Sequence, residues 1–548
     1  MKLSSFQWNI VIASASLLLF IPFLGSVHLF DWDEINFAEA AREMILTGDY
    51  SRVQINFQPF WEKPPLFLWM QVLSMKVFGV NEFAARFPNA LCGVATLLIL
   101  FNTGSKLYNR NFGLLWVLTY AGSLLPQFYF RSGIIDPWFN LFIFLGIQQA
   151  IIYSFPSEGK KLKNIVLSAI FIGLGILTKG PVALLIFGLC AVFFLLAKDG
   201  SWRIISVKHF LLFSVFVLLT GFSWFIVEVV RGRGDVVREF IEYQIRLFSQ
   251  GESGHGQPFY YHFIVLLFGC FPVSILFFLS FKRSENDSDE QRHFKVWMQI
   301  MFWVVLVLFS MVKTKIVHYS SLTYFPLTFL GAWVILKVSG DEIIWRKRNS
   351  FALLATGGLV ALVLTSLQFV ENFKEKIIAL NIIKDDFAVA NIMSEVEWNG
   401  YEFFTGILLF SGVIAFIFCV RLRLFEKGFY LLFLSTMLAT WFASLLIVPK
   451  AEQYTQRAAI DFYESLKDKD CYVETIDFKS YAYLFYSDKK KPDNSESLKL
   501  KWLLKGAIDK PAYFVSKNIK EQQILQNYPK LEVLYRKNGF VFYQRKAD

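Results

Sequence analysis

The chain is punctuated by apolar stretches about as long as a bilayer is thick. A spanning helix needs about 20 mostly apolar residues, with about 17 to 25 tolerated, because lipid offers an open backbone no hydrogen-bond partners. Thirteen such stretches are predicted, near 8–29, 88–104, 112–130, 137–153, 165–178, 181–197, 209–228, 259–281, 296–312, 319–337, 351–370, 403–420 and 428–448. Between two short ones lies Thr178-Lys179-Gly180-Pro181, where Gly-Pro ends one helix and Pro starts the next. Over 548 residues, 55% are hydrophobic and only 18% charged, against about 25% charged in ordinary soluble domains. A soluble enzyme, a disordered scaffold and a secreted disulfide framework are thereby excluded. The first apolar stretch is too long for a signal peptide and lacks a small-residue cleavage site, so it reads as a retained helix. Cys92, Cys190, Cys270 and Cys419 lie in apolar runs, and no C-x-x-C pair occurs.

The net charge of +11 divides by side. One set of short loops carries Lys106 and Arg110, then Lys160, Lys161 and Lys163, then Lys198, Arg203 and Lys208. It continues with Lys282, Arg283, Arg292 and Lys295, with Arg346–Arg348, and with Arg421, Arg423 and Lys427. By the positive-inside rule these loops are cytoplasmic. The alternate loops (31–87, 131–136, 230–258, 313–318 and 371–402) are longer and mix both signs. Thirteen spans put the N-terminus in the cytoplasm and the C-terminus outside. Most of the positive charge is an orientation signal, with membrane lipid as its partner and no nucleic acid implied.

The predicted fold is mainly α, with about 13 transmembrane helices over residues 1–449, interfacial helices in the first outer loop and a small soluble α/β domain over 450–548. In that tail, strand-like runs at Cys471–Phe478, Ala512–Ser516 and Leu531–Tyr543 alternate with helix-like stretches, and Asn538-Gly539 signals a hairpin.

Almost every ionisable residue avoids the spans, and Glu228 and His262, each near a helix end, are the main exceptions. Ion-coupled transport needs charges near the midplane, so the chemistry is expected in the outer loops. The first of these opens with Asp33-Glu34 and a helix over Ile35–Thr47, whose apolar stripe is Phe37, Ala40, Ala41, Met44 and Ile45. Trp61-Glu62-Lys63-Pro64-Pro65 then leads into Leu66–Phe78, too short to span and suited to the interface. Two interfacial helices with carboxylates and a lysine at the lipid boundary form a platform for a lipid-tailed substrate. The ordinary alternatives are helix caps for Asp33 and Asp136, an interfacial anchor for Lys63 and snorkelling for Lys179. The 230–258 loop ends in a glycine-rich run around His255, which suits a mobile cover, and 313–319 places Lys315, His318 and Tyr319 together. His255, His262 and His318 with Glu62 offer ligands for a divalent metal, but their spacing carries no metal signature, and a cofactor stays open.

Asp33-Glu34, Ala41-Arg42-Glu43-Met44, Gly48-Asp49-Tyr50, Glu62-Lys63-Pro64-Pro65-Leu66 and Leu177-Thr178-Lys179-Gly180-Pro181 occur in one order. In these motifs the chain resembles the aminoarabinose transferase and protein mannosyltransferase superfamily of GT-C membrane glycosyltransferases, over roughly residues 1–330. The resemblance implies transfer of a sugar from a polyprenyl-phosphate donor to a lipid A, protein or glycan acceptor at the outer face of a bacterial inner membrane. It implies Asp33 as the catalytic aspartate, Lys63 as a contact to the lipid phosphate, and Arg246 and Tyr319 as further phosphate ligands. The residue types themselves add Glu34 and Asp136 as candidate catalytic carboxylates and Glu62, Lys179 and Lys315 as candidates at the donor phosphate. The later motif departs from the family pattern at Lys315-Ile316-Val317-His318-Tyr319.

The residue types suit this chemistry on their own account. One carboxylate can deprotonate an acceptor hydroxyl, cations can stabilise a departing phosphate, and a single base predicts inversion. No Gly-rich nucleotide loop is present. A flippase or transporter of lipid-linked sugars, and a non-catalytic subunit, are the rival readings.

Overall fold

The computed structural model describes residues 4–155, 161–197, 206–249, 256–381 and 383–548. Lys160, Lys198, Arg203, His255 and most of the glycine-rich run lie outside the described residues. Among the described residues seven helices are long and apolar enough to cross a membrane, including Glu82–Leu107, Lys161–Lys179, Asp289–Met311 and Val317–Ser339. Three further bent pairs raise the number to as many as ten, and Ser5–Phe20, Leu66–Phe78 and Val182–Ala197 are shorter apolar helices. The chain is an integral membrane protein, mainly helical, with a small C-terminal sheet domain.

Against the thirteen spans expected, the described residues hold seven continuous ones and three bent pairs. The 259–281 stretch breaks into Tyr261–Gly269 and Val273–Leu279, bent by 110° where Pro272 cannot donate the helical hydrogen bond. The 112–130 stretch divides at Gly122 into Arg110–Ala121 and Leu124–Phe128, and Leu124 N–H donates instead to the Phe271 carbonyl at 3.2 Å. Continuous hydropathy cannot register such breaks, because both halves of a bent span remain apolar.

The Lys161–Lys179 helix ends as read, at Gly180. Its φ is +103°, and an added Cβ would sit 2.7 Å from the Phe240 ring, so only glycine fits this turn. The turn sets Lys179 at the wall of a cavity that Asp33 and Asp136 also line.

The Asp33–Thr47 helix ends at Gly48 in the left-handed conformation. Phe37, Ala40, Ala41 and Met44 of its stripe are buried and Ile45 is half-buried, but Glu34, Glu39, Arg42 and Glu43 are buried as well. The expectation of a helix half-exposed in the interface gives way to one enclosed on both faces. Its polar face is covered by the C-terminal domain, where Asp488 and the Lys489 carbonyl accept from Arg42 at 3.0 and 2.8 Å. Leu66–Phe78 does keep one open face, with Leu73 and Val77 exposed. Between these helices, β1 (Gln54–Ile55) and β2 (Gln58–Pro59) form a short hairpin.

In the C-terminal domain, β3 (Tyr472–Thr475), β4 (Ala512–Lys517), β5 (Glu532–Lys537) and β6 (Phe540–Arg545) assemble in the order β3-β4-β6-β5. β3 and β4 are parallel, while β5 and β6 form the hairpin expected at Asn538-Gly539, both with positive φ. The domain grips the segment before Asp33 directly. Tyr486 O–H accepts from Leu29 N–H at 2.6 Å, Gln456 bonds Leu29 and Asp31, and Tyr481 stacks on Trp32 at 5.8 Å.

Candidate active site

A cavity of about 370 Å³ opens where the segment after the first apolar helix, two membrane helices and the C-terminal domain meet. Asp33, Glu62, Lys63, Asp136, Lys179 and Tyr319, far apart in sequence, line it together with Trp32, Tyr243, His318 and Lys479.

Asp33 and Asp136 both stand in the first turn of a helix, where a carboxylate commonly caps backbone N–H groups. Neither does so. The N-cap positions are Trp32 and Ile135, without side-chain caps, and both carboxylates turn into the cavity. Asp33 Oδ2 lies 3.1 Å from His318 Nε2, and Asp136 Oδ1 accepts from Lys179 Nζ at 2.6 Å. His318 also approaches Asp136 Oδ2, at 3.7 Å. Two carboxylates, an imidazole and an ammonium thus form one chain of contacts. Burial pushes the Asp33 carboxyl up, but the hydrogen bond and charge of His318, with Lys63 and Lys179, outweigh it and hold it below its ordinary range. Asp33 is therefore an anion at neutral pH.

Lys63 faces the Tyr243 ring at 5.3 Å, and Tyr243 O–H donates to Glu62 Oε2 at 3.1 Å. Burial draws the Lys63 ammonium below its ordinary range, against the opposing pull of Glu62 and Asp33. Tyr319 packs beneath Lys179, whose Nζ is 4.8 Å from its ring centre. Arg246 stands one turn along the Gly234–Ser249 helix from Tyr243, with its guanidinium 5.8 Å from that ring.

Two expected members point elsewhere. Glu34 neighbours Asp33 in sequence but faces the opposite way, paired with Arg86 through both oxygens at 2.8 and 2.9 Å and accepting from the Phe30 and Gly133 N–H groups. Lys315 donates to the Val312 and Gln257 carbonyls at 2.6 and 2.9 Å, holding two loop segments together. Of the span residues singled out, Glu228 pairs with Arg233 at 3.0 Å, and His262 is buried with neither ring nitrogen hydrogen-bonded among the described residues. Among the described residues no group of three or more His, Cys, Asp or Glu could hold a metal ion, and His255 lies outside them.

Lys479, Tyr243 and the Asp33–His318 pairing escape a reading of the sequence. Lys479 comes from a tail without any catalytic pattern, and no spacing rule links residues 33 and 318. The one signal was the cluster of polar residues in the 313–319 loop.

A family model described as dolichyl-phosphate-mannose-protein mannosyltransferase matches residues 62–227. An undecaprenyl phosphate-alpha-4-amino-4-deoxy-L-arabinose arabinosyl transferase of Wigglesworthia glossinidia brevipalpis is 26% identical over 337 residues, 60% of this chain and 59% of that protein. The protein of the same description from Pectobacterium atrosepticum is 26% identical over 440 residues, 77% of this chain and 72% of its own length. Among solved structures, ArnT from Cupriavidus metallidurans bound to undecaprenyl phosphate superposes with a TM-score of 0.77 at 17% identity, covering 99% of this chain and 98% of that one. In architecture the chain has the fold of that solved structure, and in sequence it is similar to the aminoarabinose transferases and, over residues 62–227, to the protein mannosyltransferase family.

Proposed function

We propose that this protein is a glycosyltransferase that moves a sugar from a polyprenyl-phosphate donor to an acceptor hydroxyl at the outer face of the bacterial inner membrane. The observation that carries this reading is the meeting of an ionised Asp33 with Lys63, Lys179 and Tyr319 in one cavity beneath the C-terminal domain. Asp33 takes the proton from the acceptor O–H as its oxygen attacks the anomeric carbon. The bond from that carbon to the phosphate oxygen breaks, and its electron pair leaves with the phosphate, so no acid is needed. Lys63, supported by Arg246 and Tyr319, stabilises the departing dianion. His318 orients Asp33, and Lys179 holds Asp136 in place through their ion pair. One base and no carboxylate nucleophile give inversion. Glu34 acts through Arg86, fixing the turn that aims Asp33, and Lys315 braces the His318 loop.

In this reading residues 1–449 form the membrane domain and 450–548 the outer domain, with the N-terminus cytoplasmic. The basic loops on the opposite side support that orientation. The names of the relatives support undecaprenyl phosphate as the lipid carrier.

Mass spectrometry of glycolipids and glycoproteins from cells with and without the protein tests the whole. Cells lacking it should accumulate a polyprenyl-phosphate sugar and lose one glycosylated product. An unchanged donor pool with the same products would remove the reading, and a donor stranded on the cytoplasmic side would replace it with flipping.

A further inference from the structure

The C-terminal domain does more than cover the cavity. Lys479 lies in the turn after β3, and its Nζ is held over the rings of Trp32 and Tyr481 at 4.5 and 5.6 Å. These rings fix an otherwise flexible ammonium at the cavity wall. The nearest anion is Glu62, 3.9 Å away, and among the described residues none accepts a hydrogen bond from this ammonium. The ammonium thus stands at the cavity wall between two rings and Glu62, half exposed and able to donate to a ligand.

A second cavity, of about 520 Å³, adjoins the first and shares Lys479 with it. It lies wholly on the C-terminal domain and is lined by Glu474, Thr475, Asp477, Ser480, Tyr481 and Tyr483. It stands at the carboxyl end of β3, which pairs in parallel with β4, a common place for ligands in sheets with parallel strands. Carboxylates, hydroxyls and aromatic rings suit a ligand rich in hydroxyl groups. Asp33 follows Trp32 in sequence, so this path delivers a hydroxyl to the proposed base rather than a phosphate to Lys63.

Resting on the glycosyl-transfer reading, we propose that the Phe478–Tyr481 turn forms the acceptor subsite, taking a carbohydrate ring, with Lys479 as the residue that positions it. The carbohydrate is either the headgroup of a glycolipid or a free oligosaccharide, and the experiment separates these.

The test uses the full chain in detergent, with the polyprenyl-phosphate sugar fraction of its own cells as donor. Lipid A in mixed micelles, a free oligosaccharide and a Ser/Thr peptide serve as acceptors, and Lys479→Ala, Lys479→Arg and the exposed-surface control Lys546→Ala are compared. Lys479→Ala should raise the acceptor KM about tenfold or more, as the loss of a hydrogen bond from a charged group does. Undecaprenyl phosphate binding should stay within about twofold, and Lys479→Arg should recover part of the loss. Micelles responding alone identify the glycolipid source, and the oligosaccharide responding identifies the free one. An unchanged acceptor KM, an equal loss of donor binding, or the peptide as the preferred acceptor would overturn the assignment. A wild-type protein that binds no undecaprenyl phosphate and transfers to none of the three overturns the glycosyl-transfer reading itself, a result distinct from any obtained with Lys479.

Discussion

Two charge clusters sit at opposite ends of the same pair of helices, and they are built from the same residue types to different effect. At one end, Lys337 binds Asp287 at 2.8 Å and Glu342 at 3.1 Å, Trp333 donates to Asp287 at 2.8 Å, and Lys295 donates to the Lys282 carbonyl. Each ion there is met by protein. At the other end, Asp33, Asp136, Lys179 and His318 face a cavity. A low-dielectric surrounding makes an unmet polar group costly. A cluster left open in this way is fit to meet a substrate, whereas a closed one holds helices together.

That contrast can be broken in several ways. Asp33→Asn should lower the rate of transfer by about 10²–10⁴-fold, the usual worth of a positioned base, with folding and undecaprenyl phosphate binding retained. A rate within twofold of wild type, read from labelled sugar transfer, would show that Asp33 is not the base. In the closed cluster, Asp287→Ala leaves Lys337 short of its main partner and should destabilise the protein by about 3–5 kcal/mol. Thermal unfolding in detergent measures this, while transfer per folded molecule should stay the same. If both clusters lost activity alike, the distinction between them would fall.

Lys63→Ala should weaken undecaprenyl phosphate binding by about tenfold or more, given about 1.5–3 kcal/mol for a hydrogen bond to a charged group. The change is readable by tryptophan quenching, since Trp32 lines the same cavity. An unchanged affinity would return Lys63 to the role of an interfacial anchor.

The smallest effect concerns Glu43, on the enclosed face of the Asp33–Thr47 helix. Burial and the charge of Glu39 raise its carboxyl above the ordinary 4.5, despite the hydrogen bond from Phe57 N–H. The folded state then keeps a proton that the unfolded chain has lost. This contribution to stability is full below the unfolded value and fades as pH rises toward the folded one. Glu43→Gln should flatten that decline and add about 1 kcal/mol near neutral pH. A pH series of melting temperatures with unchanged slope would refute it. The Asp33 carboxyl behaves oppositely. It is lowered in the fold, so its contribution is present above the unfolded carboxylate value and lost as pH falls through the folded one, and transfer should decline over the same acid window.

Much of the site was readable because its residues violated a local expectation. Lys179 between two apolar helices required a partner, and Asp136 supplies it. Glu62-Lys63-Pro64-Pro65 put charge at the head of an apolar helix. Asp33 and Glu34 could not be separated in this way, because adjacent positions in a helix point about 100° apart and only the neighbours reveal which side is the cavity. Arg246, one turn from Tyr243, reaches the site's edge, while Lys315 is absorbed by carbonyls that no motif announces.

Hydropathy by itself determined that the chain enters a membrane, where its helices and loops alternate, and that a small strand-and-helix domain follows. These follow from local physics, since an apolar run of sufficient length has no stable alternative in lipid and Asn-Gly favours one kind of turn. Only the tertiary structure decided which helices bend, that Glu34 serves Arg86 while Asp33 meets His318, and that the C-terminal domain brings Lys479 to the cavity. Residues 33, 318 and 479 share no element and no spacing. They meet because packing of separate helices and a docked sheet domain brings them together, and the energy of that packing resides in contacts between distant segments rather than in any window of the sequence.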